Sequence, residues 1–377
     1  MLHVLLTASV AFIITFFAIP AIITVAEQKK LFDIPDARKL HTRPIASLGG
    51  IGIFSGFFLA SLLGISVKAY PEFQFFFAAA TMIFFIGIND DMIVMSPMRK
   101  FIGQVVAAAV LIHLGEIRIT SMHGLFGLEQ LPDAVSLAFS YMTIIVIINA
   151  FNLIDGIDGL AGTLGMLTTS VFGTYFLMAN MPAYAVLSFS MTGSLLAFLI
   201  FNYNPAKIFM GDTGSLLLGL VNAILAIKFI SVADSTNVLL PMESAVAIGF
   251  SILMVPLSDT LRVFSIRILR GRSPFTPDRH HIHHLLLDRG LNHKYITLCC
   301  LLVNVFFIAL AYFSRGLGPT YTLLLLCTVA TVMLAALLLL KKPVAETAAS
   351  AKPKSNALAV HTKVVPITKE TAIAENE

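Results

Sequence analysis

The sequence predicts an all-α polytopic membrane protein with about eleven membrane-crossing helices. Three observations predict it. Residues are 57% hydrophobic and only 12% charged, against about 25% charged in a soluble domain. Apolar runs of roughly 17–25 residues, the length a bilayer requires, recur along the chain as far as position 340. The short alternating strands of an outer-membrane barrel are absent from the pattern, so backbone polar groups must be satisfied within helices.

The first run, Leu2 to Ala26, has no charge before Glu27 and no Lys or Arg ahead of it. It is longer than the apolar part of a signal peptide and reads as a retained first span. The following segment, IPDARKLHTRPIASLGGIGIF at 34–54, has basic residues and the Gly49–Gly50 pair, which suit either a membrane-surface anchor or a phosphate contact. Spans at 48–66 and 72–89 come next, and the second of these ends in GINDDM. Adjacent Asp90 and Asp91 repel each other and need a cation, a proton or water nearby. Pro97 then forces a local break, and Lys100 opens a span at 100–115.

Spans at 134–150 and 159–178 enclose NAFNLIDGIDGLAG. If 152–158 is helical, Asn152, Asp155 and Asp158 share one face. Gly156 and Gly159 then admit a close neighbour, and the amide and carboxylate oxygens suit a hard cation such as magnesium. Asp-Gly is equally a common turn pair. Spans at 182–201 and 213–231 enclose FNYNPAKIFMGDTGSLLLG. Asp212, just before a helix expected from Thr213, is either its N-cap or a metal ligand beside a phosphate-attracting helix end.

In the span at 244–263, Pro256 is expected to bend the helix, and Asp259 is one turn from Arg262. The loop RILRGRSPFTPDRHHIHHLLLDRG, 267–290, interleaves Arg267, Arg270, Arg272 and Arg279 with His280, His281, His283 and His284. Arginine recognises phosphate well, and no cysteine or regular acid spacing accompanies the histidines as a zinc site would require, so phosphate binding is the better reading. Spans at 295–313 and 318–340 complete the set. Cys299, Cys300 and Cys327 lie in apolar runs without CxxC spacing and read as packing residues. The tail, 343–377, is rich in Ala, Lys, Glu and Thr, lacks aromatics and is expected to be disordered, leaving 1–342 as the membrane domain.

Charge sets the sidedness. The loops after every odd span, with the tail, hold 21 of the 25 basic residues, which puts the N-terminus outside and the C-terminus in the cytoplasm. Ten of the twelve Asp fall on the same side, although the positive-inside rule is indifferent to acids. Several loops therefore carry carboxylates and cations to one face, a mixture that suits a magnesium-bound diphosphate and phosphoryl transfer. A membrane setting makes most sense if one substrate is a lipid.

GINDD, Lys100, NAFNLIDGIDGLAG, NPAKIFMGDTGSLLLG and RSPFTPDRHHIHHLL, in this order over residues 1–340, closely resemble the polyprenyl-phosphate N-acetylhexosamine-1-phosphate transferases. The HIHH form is similar to the WecA/TagO-like branch, the undecaprenyl-phosphate N-acetylglucosaminyl-1-phosphate transferases, rather than to the branch that transfers phospho-MurNAc-pentapeptide. The resemblance implies that a polyprenyl phosphate attacks the sugar-bound phosphorus of a UDP-N-acetylhexosamine, by default UDP-GlcNAc, and that UMP leaves. It implies Mg2+, with Mn2+ as a substitute, held by Asn152 and Asp212. It gives Asp90, Asp91 and Lys100 the lipid phosphate or its proton, and Asp155 and Asp158 the nucleotide side. Arg279, His281, His283 and His284, with Asn152, contact the sugar diphosphate. The implied setting is the inner membrane with a cytoplasmic site; the partners are both substrates and the bilayer, no nucleic acid, and homo-oligomers are allowed. A transporter is the first rival, but it calls for acids near the bilayer midplane and often inverted repeats. An aspartyl protease, with its Asp-Thr-Gly-Ser stretch, needs two acids sharing a proton.

Overall fold

The computed structural model describes residues 1–31, 45–93, 95–233, 242–271 and 281–339. The tail at 343–377 lies outside the described residues. The described chain is helical almost throughout: α1 (Leu2–Lys29), α2 (Gly49–Gly64), α3 (Phe73–Met92), α4 (Pro97–His113), α5 (Asp133–Ile154), α6 (Leu160–Met178), α7 (Pro182–Asn202), α8 (Gly211–Ala233), α9 (Ala245–Ile252), α10 (Met254–Leu269), α11 (Ile282–Leu287), α12 (His293–Ser314) and α13 (Pro319–Leu339). A small hairpin of β1 (Ser121–Leu125) and β2 (Leu128–Gln130) interrupts this between α4 and α5. Each of the eleven apolar segments read from the sequence is helical. Length and apolarity, however, qualify eight described helices to cross a membrane, or nine with the bent pair α9–α10 as one span. The shortfall is physical. The 16 residues of α2 rise about 24 Å against a hydrocarbon core of roughly 30 Å. The 17-residue α4 carries Arg99, Lys100, Gln104 and His113.

The centre of the bundle is α8, the most enclosed of the spans, packed against α2, α3, α5 and α6. Glycines let its N-terminal end be approached closely, as small residues do between membrane helices. A side chain at Gly87 on α3 would overlap the Thr213 backbone, and one at Gly50 on α2 would overlap Gly214. Just ahead of α2 the chain is tied to the approach to α8. Phe209 N donates to Ala46 O at 2.8 Å, Gly49 N to Phe209 O at 2.9 Å and Gly50 N to Met210 O at 2.8 Å. The Gly49–Gly50 pair thus serves packing around α8. Since Gly87 lies one turn before Asp90 and Asp91, its close approach brings that acid pair to the start of α8.

The ninth apolar segment breaks by 84° between α9 and α10. The break falls at Leu253, ahead of the expected Pro256. Proline has no N–H, and its ring clashes with the carbonyl four residues earlier, here Ile252. Asn304, fully buried on α12, takes over both orphaned groups. Its Nδ2 donates to Ile252 O at 2.9 Å, and its Oδ1 accepts from Val255 N at 3.0 Å. One side chain thus satisfies both ends of the interruption, which apolar surroundings make obligatory.

The cysteines are free; Cys300 is buried as a packing residue would be, whereas Cys299 and Cys327 are exposed. All three line a largely apolar cavity of about 620 Å3 between α10, α11, α12 and α13.

Asn304→Leu leaves both backbone groups unpaired. It is expected to destabilise the fold by roughly 2–4 kcal/mol, read as a lower thermal midpoint in detergent. An unchanged midpoint would show that the break is held by other contacts.

Candidate active site

The ends of α3, α4, α5 and α8 meet at one end of the bundle, and their polar residues converge on the ammonium of Lys100. Lys100 Nζ donates to Asp212 Oδ2 at 2.5 Å, to Asp90 Oδ2 at 3.2 Å and to Asn152 Oδ1 at 3.3 Å. Four helices supply these four side chains. Pro97 at the first position of α4 starts that helix three residues before Lys100, where its missing N–H costs nothing. Asn152 Nδ2 donates to Asp212 Oδ1 at 2.5 Å and to Ser215 Oγ at 2.9 Å, which fixes which way its amide oxygen faces.

The adjacent acids of α3 divide. Asp90 takes the lysine and accepts from Met95 N at 2.6 Å, closing the turn toward α4. Asp91 caps α8 across the bundle. It accepts from Asp212 N at 2.7 Å, Thr213 N at 2.9 Å and Thr213 Oγ1 at 2.5 Å. A carboxylate there satisfies two orphan N–H groups and opposes the positive end of the helix dipole. Asp212 is therefore not the N-cap. It is the second residue of α8, which begins at Gly211 rather than Thr213, and its side chain is left for the cation.

The stretch 152–158 is not one helix. α5 ends at Ile154, and two turns carry the chain to Gly159, whose φ of 77° glycine adopts without strain. The Asp-Gly pairs make turns, so Asn152, Asp155 and Asp158 do not share a helical face. Asp158 Oδ2 accepts from Asn204 Nδ2 at 2.7 Å and from Ala206 N at 3.2 Å, and Oδ1 lies 3.5 Å from His293 Nδ1. Burial raises this carboxyl, but the bonds from His293, Asn204 and Ala206 outweigh it and hold it below the usual carboxylate range. Asp158 thus ties the turn to the α7–α8 loop and to α12. Asp155 has the opposite environment. It is half-buried, and no hydrogen bond to its carboxylate occurs among the described residues. Desolvation pushes its carboxyl up to about 8, and the charges of Asp212, Asp91 and Asp158 act in the same direction.

The histidines form a second group. His281 and His283 are buried, at 4% and 2% exposure, while His284 is partly exposed. The His281 and His283 rings stack with centroids 5.7 Å apart, and His284 lies 4.4 Å from His283. Burial, with the neighbouring His284 as the second cause, pushes His283 down to about 3, so its ring is neutral at physiological pH. A side chain at Gly156 would overlap the His283 ring, so the close neighbour that glycine admits is a histidine. That contact joins the histidine helix to the Asp155 turn. Of the residues expected at the site, Arg279 lies outside the described residues.

Sequence reasoning left some supporting residues unassigned. Thr213, Ser215, Asn204 and Asn202 all lie within FNYNPAKIFMGDTGS, whose density of polar side chains between two spans was the available signal. Asn202 accepts from Gly159 N and donates to Ile208 O, both at 2.9 Å, joining the turn to the α8 approach. His293, from α12, had no such signal.

Among the described residues, no three His, Cys, Asp or Glu side chains share a metal-ligating point. The oxygen set around Lys100 nevertheless fits magnesium. That ion typically takes one or two carboxylates and completes an octahedron with water and substrate phosphates. Asp212 and Asn152 offer hard oxygens already directed at a cation, here the lysine ammonium.

Residues 73–230 match the model of a family described as glycosyl transferase family 4. The chain is similar to two decaprenyl-phosphate N-acetylglucosaminephosphotransferases. The one from Mycobacterium leprae (strain TN) is 31% identical over 310 residues, 76% of this chain and 78% of the relative. The one from Mycobacterium tuberculosis (strain CDC 1551 / Oshkosh) is 32% identical over 314 residues, 76% of each chain. It is also similar to the undecaprenyl-phosphate alpha-N-acetylglucosaminyl 1-phosphate transferase of Salmonella typhi, 30% identical over 272 residues, 70% of this chain and 71% of the relative.

The Asp155 carboxyl makes a pH prediction. Between about pH 4 and pH 8 it keeps a proton that the unfolded chain releases, so the folded state binds more protons and stability falls as pH rises through that window. Asp155→Asn removes this loss. In magnesium-free buffer its thermal midpoint is expected to exceed that of the wild type at pH 8, by a margin that shrinks toward pH 5.5. A variant less stable than wild type at pH 8 would contradict the assignment.

Proposed function

The chain belongs to glycosyl transferase family 4, among the polyprenyl-phosphate N-acetylglucosamine-1-phosphate transferases, and from that premise we propose that it transfers GlcNAc-1-phosphate from UDP-GlcNAc to a polyprenyl phosphate. An oxygen of the lipid phosphate attacks the sugar-bearing phosphorus. A new P–O bond forms, the bond from that phosphorus to the oxygen bridging to UMP breaks, and UMP leaves with the bridging oxygen. The product is a lipid-linked sugar diphosphate.

The single observation that carries this reading is the Lys100 ammonium set between Asp90, Asn152 and Asp212. Phosphoryl transfer asks the protein mainly for position and charge neutralisation, and this cluster offers a cation and hard oxygens in one place. Asp212 and Asn152 would hold Mg2+, or Mn2+ in its place. When bound, the ion neutralises the diphosphate and supports departure of UMP. Lys100 then turns to phosphate oxygens, and Asp90 is the member of its pair placed beside it. Asp91, with both oxygens taken by three donors, acts by fixing the start of α8. The acceptor phosphate has a second pKa near 6 and is largely a dianion at neutral pH, so a general base is an aid rather than a requirement.

Asp155, without a hydrogen-bond donor among the described residues, is the acid open to donors on the nucleotide side, and Asp158 shapes the turn that presents it. Arg279 and His284 contact the sugar diphosphate, with His281 and His283 supporting them from the interior. We place this end of the bundle at the cytoplasmic face of the inner membrane, supported by the excess of basic residues in the same loops. The clustering of the acids at the ends of α3, α5 and α8 disfavours a transporter, whose ionisable residues belong near the midplane.

Washed membranes containing the protein should release UMP from UDP-GlcNAc only when polyprenyl phosphate and magnesium are both supplied. Asp212→Asn should insert and purify normally while turnover falls at least ~100-fold, the scale for groups that stabilise transition-state charge. Near-normal turnover in that variant would remove the metal assignment, and transport of a sugar without UMP release would remove the reaction.

A further inference from the structure

Asp259 has no part in the chemistry above, yet it is among the most buried charged groups described, at 3% exposure in the second turn of α10. A carboxylate so enclosed is costly unless fully paired. Arg262 Nη2 donates to its Oδ1 at 2.8 Å, within the same helix. Its other two donors come from a different element. Ile282 N, at the first position of α11, donates to Oδ1 at 2.9 Å, and His281 Nδ1 donates to Oδ2 at 2.8 Å. The carboxylate therefore holds both the backbone and the ring at the start of the histidine helix.

We propose that Asp259 is the positioning residue for the histidine helix, acting through His281. Its bond to Nδ1 fixes where that ring carries its proton and how the ring is turned. The His281 ring lies parallel to His283, which fills the space left at Gly156 beside Asp155. A packed path thus runs from α10 through two rings to the turn proposed to face the nucleotide. The orientation of α10 is in turn set by the break at Leu253 and by Asn304. The proposal rests on the reading of the histidine helix as the element that holds the sugar diphosphate.

Two measurements test it, one without any substrate. In Asp259→Asn, hydrogen exchange of the amides of 282–287 should quicken at least about tenfold while those of α12 keep their wild-type rates. Unchanged exchange in α11, or quickening spread over the whole chain, overturns the positioning role. In steady-state assays with wild type as reference, Asp259→Asn should raise KM for UDP-GlcNAc by about 10-fold or more, the size of a lost charge-assisted hydrogen bond. KM for polyprenyl phosphate should stay within about twofold. His281→Asn, whose amide can still donate to Asp259 and preserve the fold, should show the same split. The Asp259→Asn/His281→Asn double variant should lose no more than the worse single variant, since both act on one path. Additive losses, or equal losses toward both substrates, overturn the proposal. A wild type inactive with UDP-GlcNAc would instead count against the proposed reaction, leaving the exchange experiment to decide the positioning role.

Discussion

Three oxygens from three helices point at one ammonium, and the architecture of this end of the bundle follows from that arrangement. Asp90, Asn152 and Asp212 are 62 and 60 residues apart along the chain, and two of them are acids. Brought together without a cation, the carboxylates would repel strongly in a setting of low dielectric. Lys100 resolves this from a fourth helix. The glycine contacts of Gly87 and Gly50 with the start of α8 are its steric counterpart, since the oxygens reach one point only if α2, α3 and α8 approach closely.

The excess of aspartates on one side becomes intelligible as a division of tasks. Asp91 and Asp259 cap helices that are distant in sequence, α8 and α11. Asp158 anchors a turn to two neighbouring elements. Asp90 and Asp212 share the lysine. Asp155 alone of this group has no hydrogen-bond partner among the described residues, and it is the one whose proton affinity rises most clearly outside the helices. Asp91, Asp158 and Asp259 take their donors from the backbone and side chains of neighbouring elements, whereas Asp90 and Asp212 each give one oxygen to the Lys100 ammonium and Asp155 has no donor among the described residues.

Much of this was legible in the residues. Apolar run lengths located every long helix, because helix formation in lipid follows from local composition alone. The acid pair at 90 and 91, the lysine at 100 and the acids of the two glycine-rich motifs were all visible as polar positions at span ends, and they lie at one end of the bundle. Long-range pairing was not legible. Nothing near Asp91 says that it caps a helix 121 residues later, and nothing near Pro256 points to Asn304. The choice between helix and turn at 152–158 went to the turn because two Asp-Gly pairs outweighed three-residue spacing. The β1–β2 hairpin went unread between spans, where the apolar pattern gives no guidance. The histidine run was visible as a cluster, but burial of His281 and His283 depends on α10 and on Gly156, which no spacing within the run encodes.

The oxygens around Lys100 are proposed to form the cation and phosphate pocket. Electron paramagnetic resonance of Mn2+, titrated into the purified protein with UDP-GlcNAc present, tests it most directly. Wild type should show a protein-bound ion spectrum that reverts in Asn152→Ala to that of Mn2+ with UDP-GlcNAc alone. An Asn152→Ala spectrum indistinguishable from wild type would place the ion elsewhere and rule this pocket out.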